Sequence, residues 1–249
     1  MSPSPIGKVL STFRTHRVRA LLMGGQACIL YGAAEFSRDV DVAVLANLSN
    51  LARLHKALSD LRAEAVFVPP LGQEVLLRGH ACHFRAHLPG AEGLRIDIMS
   101  VLHGCDPFEQ LWRRRRRLML RGVGQVNVLA LDDLVRAKKT QRDKDWPMVR
   151  RLVEADFHAR PRRPSLRQIQ FWLREARSAA FLFEICRRYP AAARTVAKLR
   201  PAVRLALVGD VEAVERALRL EEETLRNADR AYWEPLRAEL AEWRRARRD

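Results

Sequence analysis

Two short stretches restrict this chain more than any other: Leu21-Leu22-Met23-Gly24-Gly25-Gln26-Ala27 and Ser37-Arg38-Asp39-Val40-Asp41-Val42. The first reads as a buried strand that runs into two glycines and then a helix over 27–31. Glycine tolerates positive φ and lets another group approach the backbone closely. A helix starting at such a turn presents unpaired N–H groups and a positive dipole end, which suits a phosphate. The second stretch is a strand by alternation, with Val40, Val42 and Val44 on one face and Asp39 and Asp41 on the other. Carboxylates two apart on a strand stand side by side, with roughly 6–7 Å between their Cα atoms. Hard oxygen donors suit Mg²⁺ or Mn²⁺, and Mg²⁺ usually keeps waters and borrows ligands from nucleotide phosphates. An Asp-x-Asp by itself is a weak motif, often a solvated turn. Here it lies in an apolar strand, with thirteen residues between Gly25 of a strand–Gly-Gly–helix unit and Asp39.

The combination of Gly24-Gly25 with Asp39-Val40-Asp41 resembles the signature of the DNA polymerase β-type nucleotidyltransferase superfamily. Met23-Gly24-Gly25-Gln26-Ala27, Tyr31-Gly32 and Ser37-Arg38-Asp39-Val40-Asp41 together are similar to minimal nucleotidyltransferases and to the AbiEii-type toxins of type IV toxin–antitoxin systems. The resemblance covers about the first 155 residues. It implies that Asp39 and Asp41 are catalytic metal ligands and that Gly24, Gly25, Ser37 and Arg38 serve the nucleotide. Many relatives carry Gly-Ser where this chain has Gly24-Gly25. Relatives often place Arg-x-Thr before the first acid, where this chain has Glu35 and Ser37; serine keeps the hydroxyl, while Glu35 reverses the charge.

A later strand over 94–100 turns Leu94, Ile96 and Ile98 one way and Arg95, Asp97 and Met99 the other. By resemblance Asp97 is the third carboxylate of the site and a third metal ligand; by pattern alone it equally marks the polar face of an edge strand.

The chain has 249 residues, enough for one large or two small domains. Its 45 basic and 29 acidic residues leave a net charge of +16, with a pI near 10.9. Such a field attracts polyanions, nucleic acid first and an anionic membrane second, unless it reflects only an arginine-rich proteome. No apolar run approaches the roughly 20 residues of a membrane span, and the first ten residues lack the apolar core of a secretory signal. Cys28, Cys82, Cys105 and Cys186 show no paired spacing and read as reduced thiols of a cytoplasmic protein. His80, Cys82, His83 and His87 form no recognised zinc spacing.

Along the chain, apolar spacing predicts a short helix ending near His16 and a second over 48–61, capped by Ser49 or Asn50. Strands are predicted over 65–68, 74–78, 82–87, 94–100 and 125–129. Asp106-Pro107 opens a helix that carries Trp112 and the arginine run 113–117, read either as a phosphate contact or as a solvated face. A helix over 131–152 continues the stripe of Leu131, Leu134 and Val135 through Lys138, Arg142 and Asp145 to Val149 and Leu152. Charged groups in such a stripe point to a cleft, and the resemblance gives a lysine here the nucleotide phosphates. Lys138 fits that role, with Lys139 the rival if the helix phase shifts by one. Asp145, before Trp146-Pro147, is also a helix cap. The Pro- and Arg-rich stretch 160–165 is the boundary candidate. Beyond it come helices over 166–189, 191–199, 202–208, 211–227 and 232–247, with Phe171, Trp172, Phe181 and Phe183 as core.

The expected fold is therefore α/β: a small mixed sheet with flanking helices over 1–159, then a helical region over 160–249. The expected activity is transfer of a nucleotidyl group from an NTP to a hydroxyl acceptor. The charge favours RNA, and the toxin relatives suggest tRNA and a cognate antitoxin as partners. A protein or small-molecule acceptor, or a binding module without turnover, are the alternatives.

Overall fold

The computed structural model describes residues 4–66, 69–159 and 163–246. The architecture is mixed α/β, with a seven-stranded mixed sheet, twelve helices among the described residues and a helical C-terminal region. The chain divides into two compact units, one of residues 1–30, 34–137 and 232–249, the other of 31–33 and 138–231. None of the described helices is long and apolar enough to cross a membrane.

In the first unit the elements run α1 Pro5–Thr15, β1 Ala20–Met23, α2 Gly24–Leu30, β2 Asp39–Val44, α3 Leu48–Asp60, β3 Glu64–Ala65, α4 Gln73–Leu77, β4 Cys82–Arg85, β5 Arg95–Met99, α5 Phe108–Arg114, β6 Arg116–Leu120, β7 Gly124–Val128 and α6 Leu131–Ala137. The strand order is β3-β4-β5-β2-β1-β7-β6, so the acidic strand β2 lies inside the sheet. It pairs antiparallel with β1 and parallel with β5. The expected alternation holds: Val40, Val42, Val44, Ile96 and Ile98 are buried, while Asp39, Asp41, Arg95 and Asp97 are half-buried on the other face. Asn50, 1% exposed, ties three elements together. Its amide accepts from Arg19 N at 2.7 Å and donates to the carbonyls of Arg19 and Leu45 at 3.1 and 3.0 Å. Asn47, not Ser49 or Asn50, caps α3 by accepting from Asn50 N.

Several local expectations are corrected. The helix after β1 begins at Gly24, three residues early. Residues 74–78 are not a strand: Gln73–Leu77 is helical and buries only Leu76, because a short apolar run carries no period that separates the two. The predicted 65–68 strand is the pair Glu64–Ala65, and 67 and 68 lie outside the described residues. The arginine run is not one helix, since α5 stops at Arg114 and Arg116 opens β6.

The second unit holds α7 Asp145–Ala159, α8 Leu166–Glu175, α9 Ala179–Arg188, α10 Pro190–Ala197, α11 Pro201–Val208 and residues 211–231 of α12 Val211–Ala246. The helix predicted over 131–152 is broken at 138–144, and the one over 166–189 at 176–178. Conversely, 211–227 and 232–247 are one helix, since nothing in Ala228-Asp229-Arg230-Ala231 breaks it; 247 lies outside the described residues, as do 160–162 of the boundary stretch. Phe157, Trp172 and Phe181 meet edge to face with centroids about 5 Å apart, and Phe171 is buried nearby in sequence. Beside this core three cations share two carboxylates. Lys139 pairs with Glu175 at 2.6 Å, Arg177 with Glu175 and Glu221 at 3.3 and 2.9 Å, and Arg200 with Glu221 at 2.7 Å.

Candidate active site

The register of the first unit turns separate sequence signals into one row. Asp41 on β2 is the direct partner of Asp97 on β5, Asp97 of His83 on β4, and Asp41 of Met23 on β1. One pair further along, Asp39 faces Arg95 and Arg95 faces Arg85. Partners in adjacent strands share a face, so Asp39, Asp41, Asp97, Arg95 and His83 occupy one surface of the sheet. Fifty-five residues separate Asp41 from Asp97, and the pairing of β2 with β5 brings them together.

The two glycines have different reasons to be glycine. Gly24 has φ +63°, and a Cβ there would overlap the Asp41 carboxylate. Both the backbone region and the space exclude a side chain. Gly25 has ordinary φ, but a Cβ would meet the Ser37 side chain, 2.5 Å from its Oγ. Ser37 donates toward the Asp39 carbonyl at 3.4 Å, and Gln26 Nε2 donates to the Ser37 carbonyl at 3.0 Å. The start of α2 and the entry to β2 are thus packed against each other through four of the singled-out residues. Arg38 stands apart from that packing, exposed and 5.7 Å over the Phe36 ring.

Asp97 is held by two donors. His83 Nδ1 donates to its Oδ1 at 2.7 Å, and Arg95 Nε donates to the same oxygen at 2.7 Å. Burial pushes the Asp97 carboxyl up, but these two hydrogen bonds and charges outweigh it and hold the pKa below the usual range. Arg95 answers in kind: burial opposes its charge, while the Asp97 hydrogen bond and the fields of Asp97, Asp39 and Asp41 raise its pKa. His83 entered the sequence reading only as a zinc candidate; its position opposite Asp97 follows from the β4–β5 register, which no local pattern encodes.

Among the described residues no three His, Cys, Asp or Glu side chains form a ready-made metal cage. The donor chemistry nevertheless fits a hard divalent cation: a carboxylate row on one face, with the missing Gly24 side chain leaving room at Asp41. Mg²⁺ normally binds through one or two carboxylates plus waters and phosphates, so a full protein cage is not its requirement.

Lys138, Arg142 and Asp145 come together in the second unit, though not on one helix face. Lys138 Nζ donates to Asp145 Oδ1 at 3.0 Å, and Thr140 Oγ1 and Arg142 Nε donate to Oδ2 at 2.6 and 2.8 Å. Trp146 Nε1 closes the turn on the Thr140 carbonyl at 2.8 Å. Asp145 is therefore the knot of the 138–144 turn at the start of α7. Burial raises its pKa, but Lys138, Thr140 and Arg142 together hold it below the ordinary value. Lys139 points elsewhere, into a half-buried pair with Glu175, where loss of solvation lowers its pKa.

No protein-family model and no curated protein matches the chain.

Proposed function

We propose that the chain is a divalent-metal-dependent nucleotidyltransferase that moves a nucleotidyl group from an NTP to a hydroxyl of RNA, in the manner of the polymerase β-type superfamily it resembles. The observation that carries this reading is the carboxylate row of Asp39, Asp41 and Asp97, with Gly24 stripped of a side chain where the Asp41 carboxylate sits. Asp39, Asp41 and Asp97 would hold Mg²⁺ or Mn²⁺. When bound, such a cation neutralises triphosphate charge and makes the acceptor hydroxyl easier to deprotonate.

The chain's own residues supply the rest. Asp97, held below the usual carboxylate range by His83 and Arg95, is a poor proton acceptor and a good fixed anion. Its part is to hold charge in place. Arg95 balances the three carboxylates, which limits their mutual repulsion before a ligand arrives. The resemblance assigns the nucleotide's phosphates to the Gly24-Gly25 backbone, Ser37 and Arg38, and gives Lys138 the same role; Arg142 and Asp145 enter only through the charged spacing of 138–145. The +16 charge favours a polyanionic acceptor, and an RNA-modifying toxin with a cognate antitoxin is the fuller form of the reading.

The test is incubation of the protein with each α-labelled NTP, Mg²⁺ and total RNA, followed by gel separation. Label in RNA that disappears in Asp41→Ala is the expected result. Label carried only by protein or small molecules would move the acceptor out of RNA, and no transfer with any NTP would remove the enzyme reading.

A further inference from the structure

The opposite face of the same sheet carries a cleft that the transfer chemistry does not use. Leu22 and Val42 are register partners one residue away from the Met23–Asp41 pair, so they point away from the carboxylate row. Between these strands, α1 and β7 lies a cleft of about 230 Å³ floored by Phe13, Leu22, Val42 and Val126. Its rim is basic: Arg14, Arg17 and Arg19, with Trp112.

The rim holds more positive charge than its surroundings answer. Arg19 makes a bidentate pair with Glu109 at 3.0 and 2.8 Å. Among the described residues Arg14 and Arg17 have no carboxylate partner, and both are exposed. Gly124, at φ +93°, leaves room for the Arg14 guanidinium, which a Cβ there would approach to 3.1 Å. Arg115 adds a fourth cation, 4.1 Å over the Trp112 ring, with its Nε donating to Asn127 Oδ1 at 2.9 Å. Its pKa is lowered, first by burial and then by Arg117 and Arg19. The guanidinium of Arg19 lies 4.8 Å from the same indole, so Trp112 holds two cations at the cleft edge.

Two unshared guanidiniums on the rim, beside an indole that holds two further cations, fit a ligand with more than one anionic group. A single carboxylate or one acyl chain would leave most of the rim unanswered. A cleft of this size is below the usual range for drug-sized ligands, and it has no room for a duplex. We propose that the rim of this cleft binds single-stranded RNA, with Arg14 and Arg17 holding neighbouring phosphates beside the Trp112 edge. Because it lies on the face away from Asp41 and needs neither NTP nor metal, it stands or falls apart from the transfer reading.

The probe is a fluorescein-labelled mixed-sequence 12-nucleotide RNA, followed by anisotropy from 50 to 300 mM KCl without Mg²⁺ or NTP. Arg14→Gln with Arg17→Gln should weaken binding at least about tenfold at low salt. It should also reduce the log–log salt slope by about 1.4, at roughly 0.7 per phosphate contact on a single strand. As a charge-matched control, Arg216→Gln with Arg219→Gln alters exposed arginines of α12, each already paired within the helix. Equal loss in this control would mean diffuse attraction and overturn the site. So would equal affinity for the duplex form, or full competition by AMP or UMP at equal concentration, which would make it a free-nucleotide pocket. With wild-type protein and 4-thiouridine RNA, crosslinks should fall within residues 10–20 and 112–127; crosslinks confined elsewhere also overturn it.

Discussion

Asp97 and Asp145 meet similar partners in the two units, yet their settings differ. Each is an acid held by cations, with a pKa held below normal against burial. Asp145 spends both oxygens on its own turn, taking Lys138 on one and Thr140 and Arg142 on the other. Asp97 takes His83 and Arg95 on a single oxygen, beside two further carboxylates on the same face. A carboxylate whose oxygens are all used by neighbours three to seven residues away is a fastener. One that sits in a row of like charges carries a repulsion the fold has no structural need for, and such sites are where function is to be sought.

That contrast can be broken by substitution. The largest effect is expected from Asp41→Ala, which should lower label transfer by about a thousandfold, about 4 kcal/mol of transition-state stabilisation. Its metal-free melting temperature should hold or rise, because one repelling carboxylate is gone. A protein that transfers label normally, or that unfolds, would place Asp41 with Asp145 among the fasteners. Next comes Asp145→Ala, which should cost about 3 kcal/mol, since it leaves Lys138 and Arg142 without their shared acid. Thermal or urea unfolding checks it, and an unchanged midpoint would remove the structural role.

Gly24→Ala should cost about 1–2 kcal/mol for the left-handed backbone, and it should impair transfer more than stability by displacing the Asp41 carboxylate. Equal wild-type kinetics would mean that the cradle is not needed. Acid titration of stability comes below that. Asp97 and Asp145 both have folded pKa values below the ordinary 3.8, so the unfolded chain binds their protons more readily. Their contribution is complete above about pH 4 and is lost as pH falls below that value. Asp97→Asn should flatten the acid limb; an identical limb would assign the whole effect to other carboxylates. The smallest change is expected for Lys139→Met. Glu175 keeps Arg177, and the surplus cation of a three-to-two cluster is gone, so stability should stay within about 1 kcal/mol of wild type or rise. A large fall would show that Lys139 is needed where its neighbour Arg177 is not enough.

Local patterns guided best where strand alternation was long and apolar. Two-residue alternation around Val40 and Ile96 is enough to sort buried valines and isoleucines from half-buried acids, because a strand inside a sheet leaves its side chains only two directions. An α/β fold with a mixed sheet and a helical C-terminal region is legible in such patterns, but β6 falls where the arginine run reads as helix, and 74–78 reads as a strand yet is helical. What could not be read was register. Nothing near Asp97 announces Asp41 as its partner, or His83 as its hydrogen-bond donor, since those pairings depend on loops of quite different length. The helix face read through Lys138, Arg142 and Asp145 fails for another reason: a spacing of three and four also describes a turn closed by one carboxylate. Arginines 113–117 divide for tertiary reasons. Arg114 is bound to Asp106 and Asp133, Arg115 turns onto Trp112, and Arg116 enters a strand.

Asn50 leaves a dynamic signature of its own. The Arg19 amide is bonded to a side chain of α3 and not to a neighbouring strand. Its proton can therefore exchange with solvent only when α3 lifts far enough to withdraw that amide oxygen. In a hydrogen–deuterium experiment, the Arg19 amide at the edge of β1 would keep time with the helix, and its neighbours Leu21 and Leu22 with the sheet.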